Sequence, residues 1–180
     1  MKILIAGEGG QGVQTIAKIL STAAYFKGKE SLFVPNFGVE QRGGVSIAFV
    51  QINNQPIPYP KFAQADLLVV LSQRSVKRVS SYIGKDTLVI FNSSLIHNQL
   101  VNRLTAQPIP VEATTLAIKK LDYRVFNMII LGVMLSQVPE IDLKNIKKAI
   151  NYQLGYKFKK NPELRKLNLK ALEIGRKLTK

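Results

Sequence analysis

The sequence has no cysteine and a single histidine. A disulfide framework, a thiolate nucleophile, a zinc–thiolate site and a cysteine-ligated iron–sulfur cluster are therefore excluded for this chain. Acids are scarce: 11 Asp and Glu stand against 26 Lys and Arg, a formal net charge of +15 over 180 residues. Long hydrophobic runs are missing too. The longest, Val125 to Val138, is interrupted by Asn127, Gly132, Ser136 and Gln137 and is too short for a bilayer span. The chain opens on MKILIAG, without the charged n-region, apolar h-region and cleavage site of a signal peptide. The expectation is a soluble, cytoplasmic protein with no membrane partner.

What is present is enough apolar residue for a core. The 46% apolar content argues against disorder, and the length suits one α/β domain. The positive charge is concentrated at the end. Lys144 to Lys180 holds twelve Lys and Arg and two acids, a net +10. Such a segment could meet nucleic acid, an acidic partner or an anionic cofactor, or simply form a solvated helix face. No helix-turn-helix, RNP-type strand or zinc finger accompanies it, which argues against nucleic acid.

The hydrophobic pattern alternates between strand and helix. Strands are predicted at Lys2–Ala6, Ser31–Val34, Val45–Ile52, Leu67–Leu71, Thr87–Phe91 and Pro108–Val111. About ten residues join the second and third, too few for a helical crossover, so that pair should be antiparallel. Helices are predicted at Val13–Phe26, closed by Gly28, then at Gln73–Ile83, Glu112–Leu121, Arg124–Gln137, Asp142–Leu154 and Pro162–Leu178. Asp142 is a candidate N-cap, and Pro162 a first-turn proline after Asn161. The predicted fold class is α/β: three layers, a mixed and mainly parallel sheet with flanking helices, and a C-terminal helical extension. It reads as one domain over 1–180, with an α/β core at 1–140 and a basic helical arm at 141–180.

Two loops could carry chemistry. Gly7-Glu8-Gly9-Gly10-Gln11-Gly12 fits G-x-G-x-x-G between a strand and a helix. The helix start after it offers free N–H groups to an anion. A dinucleotide site would also need an acid at the end of the second strand, but that strand runs Phe33-Val34-Pro35-Asn36, and Glu8 would repel a pyrophosphate. The turn is therefore open to three readings: a dinucleotide site, a purely structural strand-to-helix turn, and a contact made by Gly7, Gly9, Gly10, Gln11 and Gly12 to an anion or a partner backbone. No Gly-Lys-Ser/Thr follows, which excludes a Walker loop. In the second loop, Asn36 to Gly44, Arg42 between glycines can present a planar fork to a carboxylate or phosphate, and Glu40 can orient it. Glu40, Arg42, Gly43 and Gly44 are candidate substrate or partner contacts; the alternative is an ordinary surface ion pair. His97 has no nearby acid and reads as a surface or packing residue. Asn127 reads as a satisfied buried polar group or a helix-start residue. No catalytic residue and no metal ligand is assigned. There is no nucleophile elbow, no carboxylate pair and no Gly-Asp-Gly…Asn signature for thiamine diphosphate.

Four collinear blocks resemble one family. Gly7-Glu8-Gly9-Gly10-Gln11-Gly12-Val13, Phe37-Gly38-Val39-Glu40-Gln41-Arg42-Gly43-Gly44, Asn127-Met128…Leu131-Gly132 and Leu167-Asn168…Ala171…Gly175 resemble the gamma subunit of 2-oxoacid:ferredoxin oxidoreductases, from about residue 3 to residue 176. Ile57-Pro58-Tyr59-Pro60-Lys61 and Asp66…Leu71-Ser72-Gln73 look most like the 2-oxoglutarate branch. The pyruvate/ketoisovalerate and indolepyruvate branches are related. Asn36-Phe37 departs from the family's more usual Ser or Thr followed by Tyr. The resemblance implies CoA-dependent oxidative decarboxylation of a 2-oxoacid to an acyl-CoA, with electrons passed to ferredoxin. It also implies that thiamine diphosphate, Mg and iron–sulfur clusters sit on alpha and beta subunits, with a ferredoxin-like delta subunit as a further candidate partner. CoA would be a co-substrate of the complex, and this chain would hold no cofactor of its own. The rival readings are a standalone dinucleotide-binding regulatory protein and a basic nucleic-acid-binding protein.

Overall fold

A computed structural model describes residues 1–37, 44–104 and 107–179, without the side chain of residue 37. The chain opens with β1 (Lys2–Glu8), α1 (Val13–Phe26), β2 (Glu30–Phe37) and β3 (Val45–Asn53). It continues through β4 (Ala65–Val70), α2 (Gln73–Val79), β5 (Ile83–Asn92), α3 (Asn98–Asn102) and β6 (Pro108–Val111). Four helices end it: α4 (Ala113–Lys120), α5 (Phe126–Met134), α6 (Leu143–Lys160) and α7 (Pro162–Lys177).

The strands form one six-stranded sheet in the order β2-β3-β1-β4-β5-β6. β3 runs antiparallel to both its neighbours, β2 and β1, while β1, β4, β5 and β6 pair parallel. The antiparallel pairing expected from the short β2–β3 connection is present.

Alternation along the central strands divides the core in two. Ile3, Ile5, Val50, Leu67, Val69 and Ile90 face the cluster built with α1, α4, α5, α6 and α7. Leu4, Ala6, Phe49, Leu68, Val70, Val89 and Phe91 face a smaller cluster with Val76, Val79 and Val101 from α2 and α3. A parallel sheet covered on both faces demands near-continuous apolar strands, and Ile3 to Ala6 are fully buried. The edge strand β6 carries Pro108 and Pro110, which cannot donate to a further strand.

Local signals behave as the residues require. Gly28 takes φ +76. Its N–H donates to Tyr25 O and the Lys29 N–H to Ala24 O, the bond pair that closes a helix on a left-handed residue. Asp142 caps α6 by accepting from the Asn145 N–H, and Asn161 caps α7 ahead of Pro162. Several boundaries differ from the prediction: the helix expected to end at Leu154 runs on to Lys160, the one expected over Arg124–Gln137 spans Phe126–Met134, and β5 begins at Ile83 rather than Thr87. The helix expected to reach Ile83 stops at Val79, and a 3-10 turn over Ser80–Tyr82 leads straight into β5. Ser80 Oγ donates to Lys77 O at 3.1 Å, a side-chain bond that competes with helix continuation.

α6 and α7 share the larger core: Ile146, Ala149, Ile150, Leu154, Ala171 and Leu172 belong to the cluster that covers the sheet. α5 is buried along its whole length. α7 crosses it where Gly132 faces Leu172 and Arg176, and Gly175 faces Ile129, so closely that a Cβ on either glycine would collide with backbone of the other helix. Among the described residues no helix is long and apolar enough to cross a membrane.

Candidate functional site

β1 sends the chain through α1 on one face of the sheet, and β4 sends it through α2 on the other. Their carboxyl ends therefore diverge, the place in an open α/β sheet where crevices form. The glycine turn sits there. Gly7, next to last in β1, lies so close to the turn and to the residue that follows β4 that a Cβ would meet Gln11 Oε1 at 2.7 Å and Leu71 Cβ at 3.0 Å. The Gln11 side chain folds back and accepts from the Glu8 N–H at 2.8 Å, and the Gln11 N–H donates to Glu8 O at 3.1 Å. Gly10 and Gly12 take φ +96 and +83, conformations that need glycine. Gly12 is the N-cap of α1 and no side chain caps the helix, so its first N–H groups stay available.

Above the turn lies an open pocket of about 270 Å³ lined by Glu8, Gly9, Gly10, Gly12 and the first turn of α1, with Ser46 from β3 opposite. Gln14 fixes that wall: its Nε2 donates to Ser46 Oγ at 2.9 Å and to Ile47 O at 3.0 Å. Glu8 is the one charged residue among these lining groups. Backbone amides and a carboxylate share the pocket, so it suits a hydrogen-bonding or mixed-polarity group better than a bare pyrophosphate.

The two sequence loops meet. The Gly9 N–H donates to the buried Gly44 carbonyl at 3.0 Å, joining the turn to the start of β3. Glu40, Arg42 and Gly43 lie outside the described residues. The dinucleotide reading loses its geometry, because β3 is inserted between β1 and β2. The second parallel strand, whose end should offer an acid to a ribose, is no longer beside the glycine turn.

Asn127 was under-read by sequence reasoning. It is 8% exposed on the first turn of α5 and lies directly behind Gly12, where a Cβ would strike its Nδ2. Its Oδ1 has no hydrogen-bond partner among the described residues. The signal available was a polar residue inside the most apolar helix; that it backs the glycine turn is visible only in three dimensions. His97 is exposed at the N-cap of α3. A second pocket, of about 300 Å³, opens at the opposite end of the strands, between the start of β1 and the end of β3. Ile57, Pro58, Tyr59 and Lys61 line it, so the segment that most resembles the 2-oxoglutarate branch lies far from the glycine turn.

Known proteins resemble this chain in sequence and in fold. Residues 2–178 match the model of the family described as "Pyruvate ferredoxin/flavodoxin oxidoreductase". The chain is 33% identical to the pyruvate synthase subunit PorC of Methanosarcina barkeri, over 83% of this chain and 84% of that one. It is 32% identical to the pyruvate/ketoisovalerate oxidoreductases common subunit gamma of Pyrococcus abyssi, again over 83% and 84%. It is 27% identical to the 2-oxoglutarate synthase subunit KorC of Methanocaldococcus jannaschii, over 83% and 81%. The crystal structure of a keto/oxoacid ferredoxin oxidoreductase gamma subunit from Geobacter sulfurreducens has the same fold, with TM-score 0.78 at 24% identity over 99% of this chain and 97% of that one.

The chain belongs to the pyruvate ferredoxin/flavodoxin oxidoreductase family. Within it, the chain is of the gamma type found in the 2-oxoacid:ferredoxin oxidoreductases, whose relatives carry pyruvate, ketoisovalerate and 2-oxoglutarate names alike.

Proposed function

We propose that this chain is the gamma subunit of a complex that oxidatively decarboxylates a 2-oxoacid, with 2-oxoglutarate preferred, in a CoA-dependent reaction that reduces ferredoxin. The observation that carries this reading is the glycine turn tied to Gly44 at the β1/β4 divide, held by a gamma-type chain with no cysteine. The preference for 2-oxoglutarate rests on Ile57–Lys61 and Asp66…Gln73.

Thiamine diphosphate, Mg and iron–sulfur clusters belong on alpha and beta subunits, with a ferredoxin-like delta subunit where clusters are carried separately. With no thiol, the chain cannot ligate an iron–sulfur cluster through cysteine. This reading routes no chemical step through the chain. Its contribution is positional: the turn offers backbone N–H groups, and Gln14 and Ser46 stiffen the opposite wall. Together they present a rigid polar surface to a partner backbone or to an anionic part of a co-substrate such as CoA.

Affinity purification of the tagged chain from its native source tests the reading. Larger subunits should co-purify with thiamine diphosphate and iron, and the assembly should reduce ferredoxin with a higher kcat/KM for 2-oxoglutarate than for pyruvate or branched 2-oxoacids. Recovery of the chain alone sinks the assignment. An assembly that prefers pyruvate sinks only the substrate.

A further inference from the structure

We infer that the surface where α1 meets α6 is a docking face for an acidic protein surface within the assembly, an inference that rests on the gamma-subunit reading. Three tyrosines stand out from it: Tyr25 is 72% exposed, Tyr152 71% and Tyr156 62%. They form one patch. The Tyr25 and Phe26 rings lie 6.2 Å apart, and Phe26 meets Tyr152 edge-on at 5.8 Å. Lys148 Nζ sits 4.1 Å from the Phe26 ring centroid and Lys157 Nζ 5.7 Å from that of Tyr156. Lys148, Tyr152 and Tyr156 follow each other at four-residue spacing, so they share one face of α6.

The charge on this face has one sign. α6 carries six lysines and no acid. Lys147 is held at 3.0 Å by Glu173 of α7, whereas Lys148, Lys157, Lys159 and Lys160 form no ion pair among the described residues. The apolar side of α6 is already spent: Ile146, Ala149, Ile150, Leu154 and Phe158 point into the core. What remains exposed on it is tyrosine and lysine, with Asn151, which accepts from Arg165, the one exception.

Exposed aromatics on a pre-packed platform are the residues that anchor protein interfaces, at low entropic cost. Uncompensated lysines around them call for carboxylates, which speed encounter and fix orientation. A second copy of this chain would set cation against cation. A bilayer needs an apolar helix face to insert, and here that face is buried. Single-stranded nucleic acid is tracked by a groove, whereas Lys148, Tyr152 and Tyr156 lie along one side of a single helix.

A carbodiimide, which joins a lysine amine directly to a carboxylate, should link Lys148, Lys157 or Lys160 to Asp or Glu of a partner subunit in the purified complex. The same lysines should acetylate at least about tenfold more slowly in the complex than in the isolated chain. The double substitution Tyr152→Ala/Tyr156→Ala should weaken assembly at least about tenfold, and Lys148→Glu/Lys157→Glu should do so while keeping every ring. Equal acetylation in both states, with normal assembly of both double variants, overturns the docking face and leaves the gamma-subunit reading standing. Failure of the wild-type chain to co-purify with any larger subunit overturns that reading and this one with it. Tight, salt-sensitive binding of a mixed-sequence single-stranded oligonucleotide that is lost on Tyr152→Ala would also overturn it, assigning the face to nucleic acid.

Discussion

Gly155 and Gly175 both lie inside helices, yet the same added methyl group acts on them in opposite directions. A Cβ at Gly155 meets nothing within 4 Å, whereas one at Gly175 falls on the Ile129 carbonyl across the α5–α7 crossing. Gly155→Ala should therefore raise stability by about 0.5–1 kcal/mol, the ordinary cost of glycine in a helix. Gly175→Ala should lower it by about 1–3 kcal/mol, because backbone and not a flexible side chain must move. Urea unfolding at constant slope reads both; the same sign for the two would contradict the crossing. Gly12 combines a left-handed backbone with Asn127 at its back, so Gly12→Ala should also destabilise. The glycine turn itself was legible in the sequence, since a strand, four glycines in six residues and a helical stripe name it. The Asn127–Gly12 and Gly132–Gly175 contacts were not. They join residues more than forty positions apart, and nothing in local periodicity encodes such a meeting. Arg42 lies outside the described residues, and its reading rests on sequence alone. Truncating one partner of a buried charge-assisted pair at an interface costs roughly 2–5 kcal/mol. Arg42→Ala should accordingly leave the melting temperature unchanged and cut assembly or turnover at least about tenfold, with Arg42→Lys restoring only part.

Elements were easier to read than their joints. The strands follow from short apolar runs, with alternation read only in β3, and the long helices from helical spacing, while Asp142, Asn161–Pro162 and Gly28 mark element ends. The five-residue α3 was missed because it is short and polar, and Ile83 was given to a helix because apolar spacing cannot say where serines break it. α6 and α7 are joined across their surfaces by Glu173, which pairs with Lys147 at 3.0 Å and with Arg176 at 3.1 Å. The Lys147 hydrogen bond is the main reason its carboxyl is held below the usual carboxylate range; desolvation opposes this, and Arg176 adds to it. A folded-state pKa below the unfolded one contributes stability above the unfolded value of about 4.3, and that contribution is lost as pH falls through the folded value. Glu173→Gln should thus be less stable than wild type near pH 7, and the two melting curves should converge below about pH 4. A gap that stays constant from pH 7 to acid would show that Glu173 does not act through its charge.

At the scale of the molecule, the polarity is clear. One end of the central strands carries the glycine turn and its pocket, the opposite end carries the pocket lined by Ile57, Pro58, Tyr59 and Lys61, and the α1–α6 flank carries the lysines and exposed tyrosines. The relatives of this chain are named as subunits of pyruvate, ketoisovalerate and 2-oxoglutarate enzymes. The direct measurement is reconstitution. The complex is prepared without this chain, the purified chain is titrated back, and 2-oxoglutarate-dependent reduction of ferredoxin is followed in the presence of CoA. Turnover should be absent at the start, rise linearly and level off at a fixed ratio of this chain to its partners. Full turnover before any is added would contradict the account.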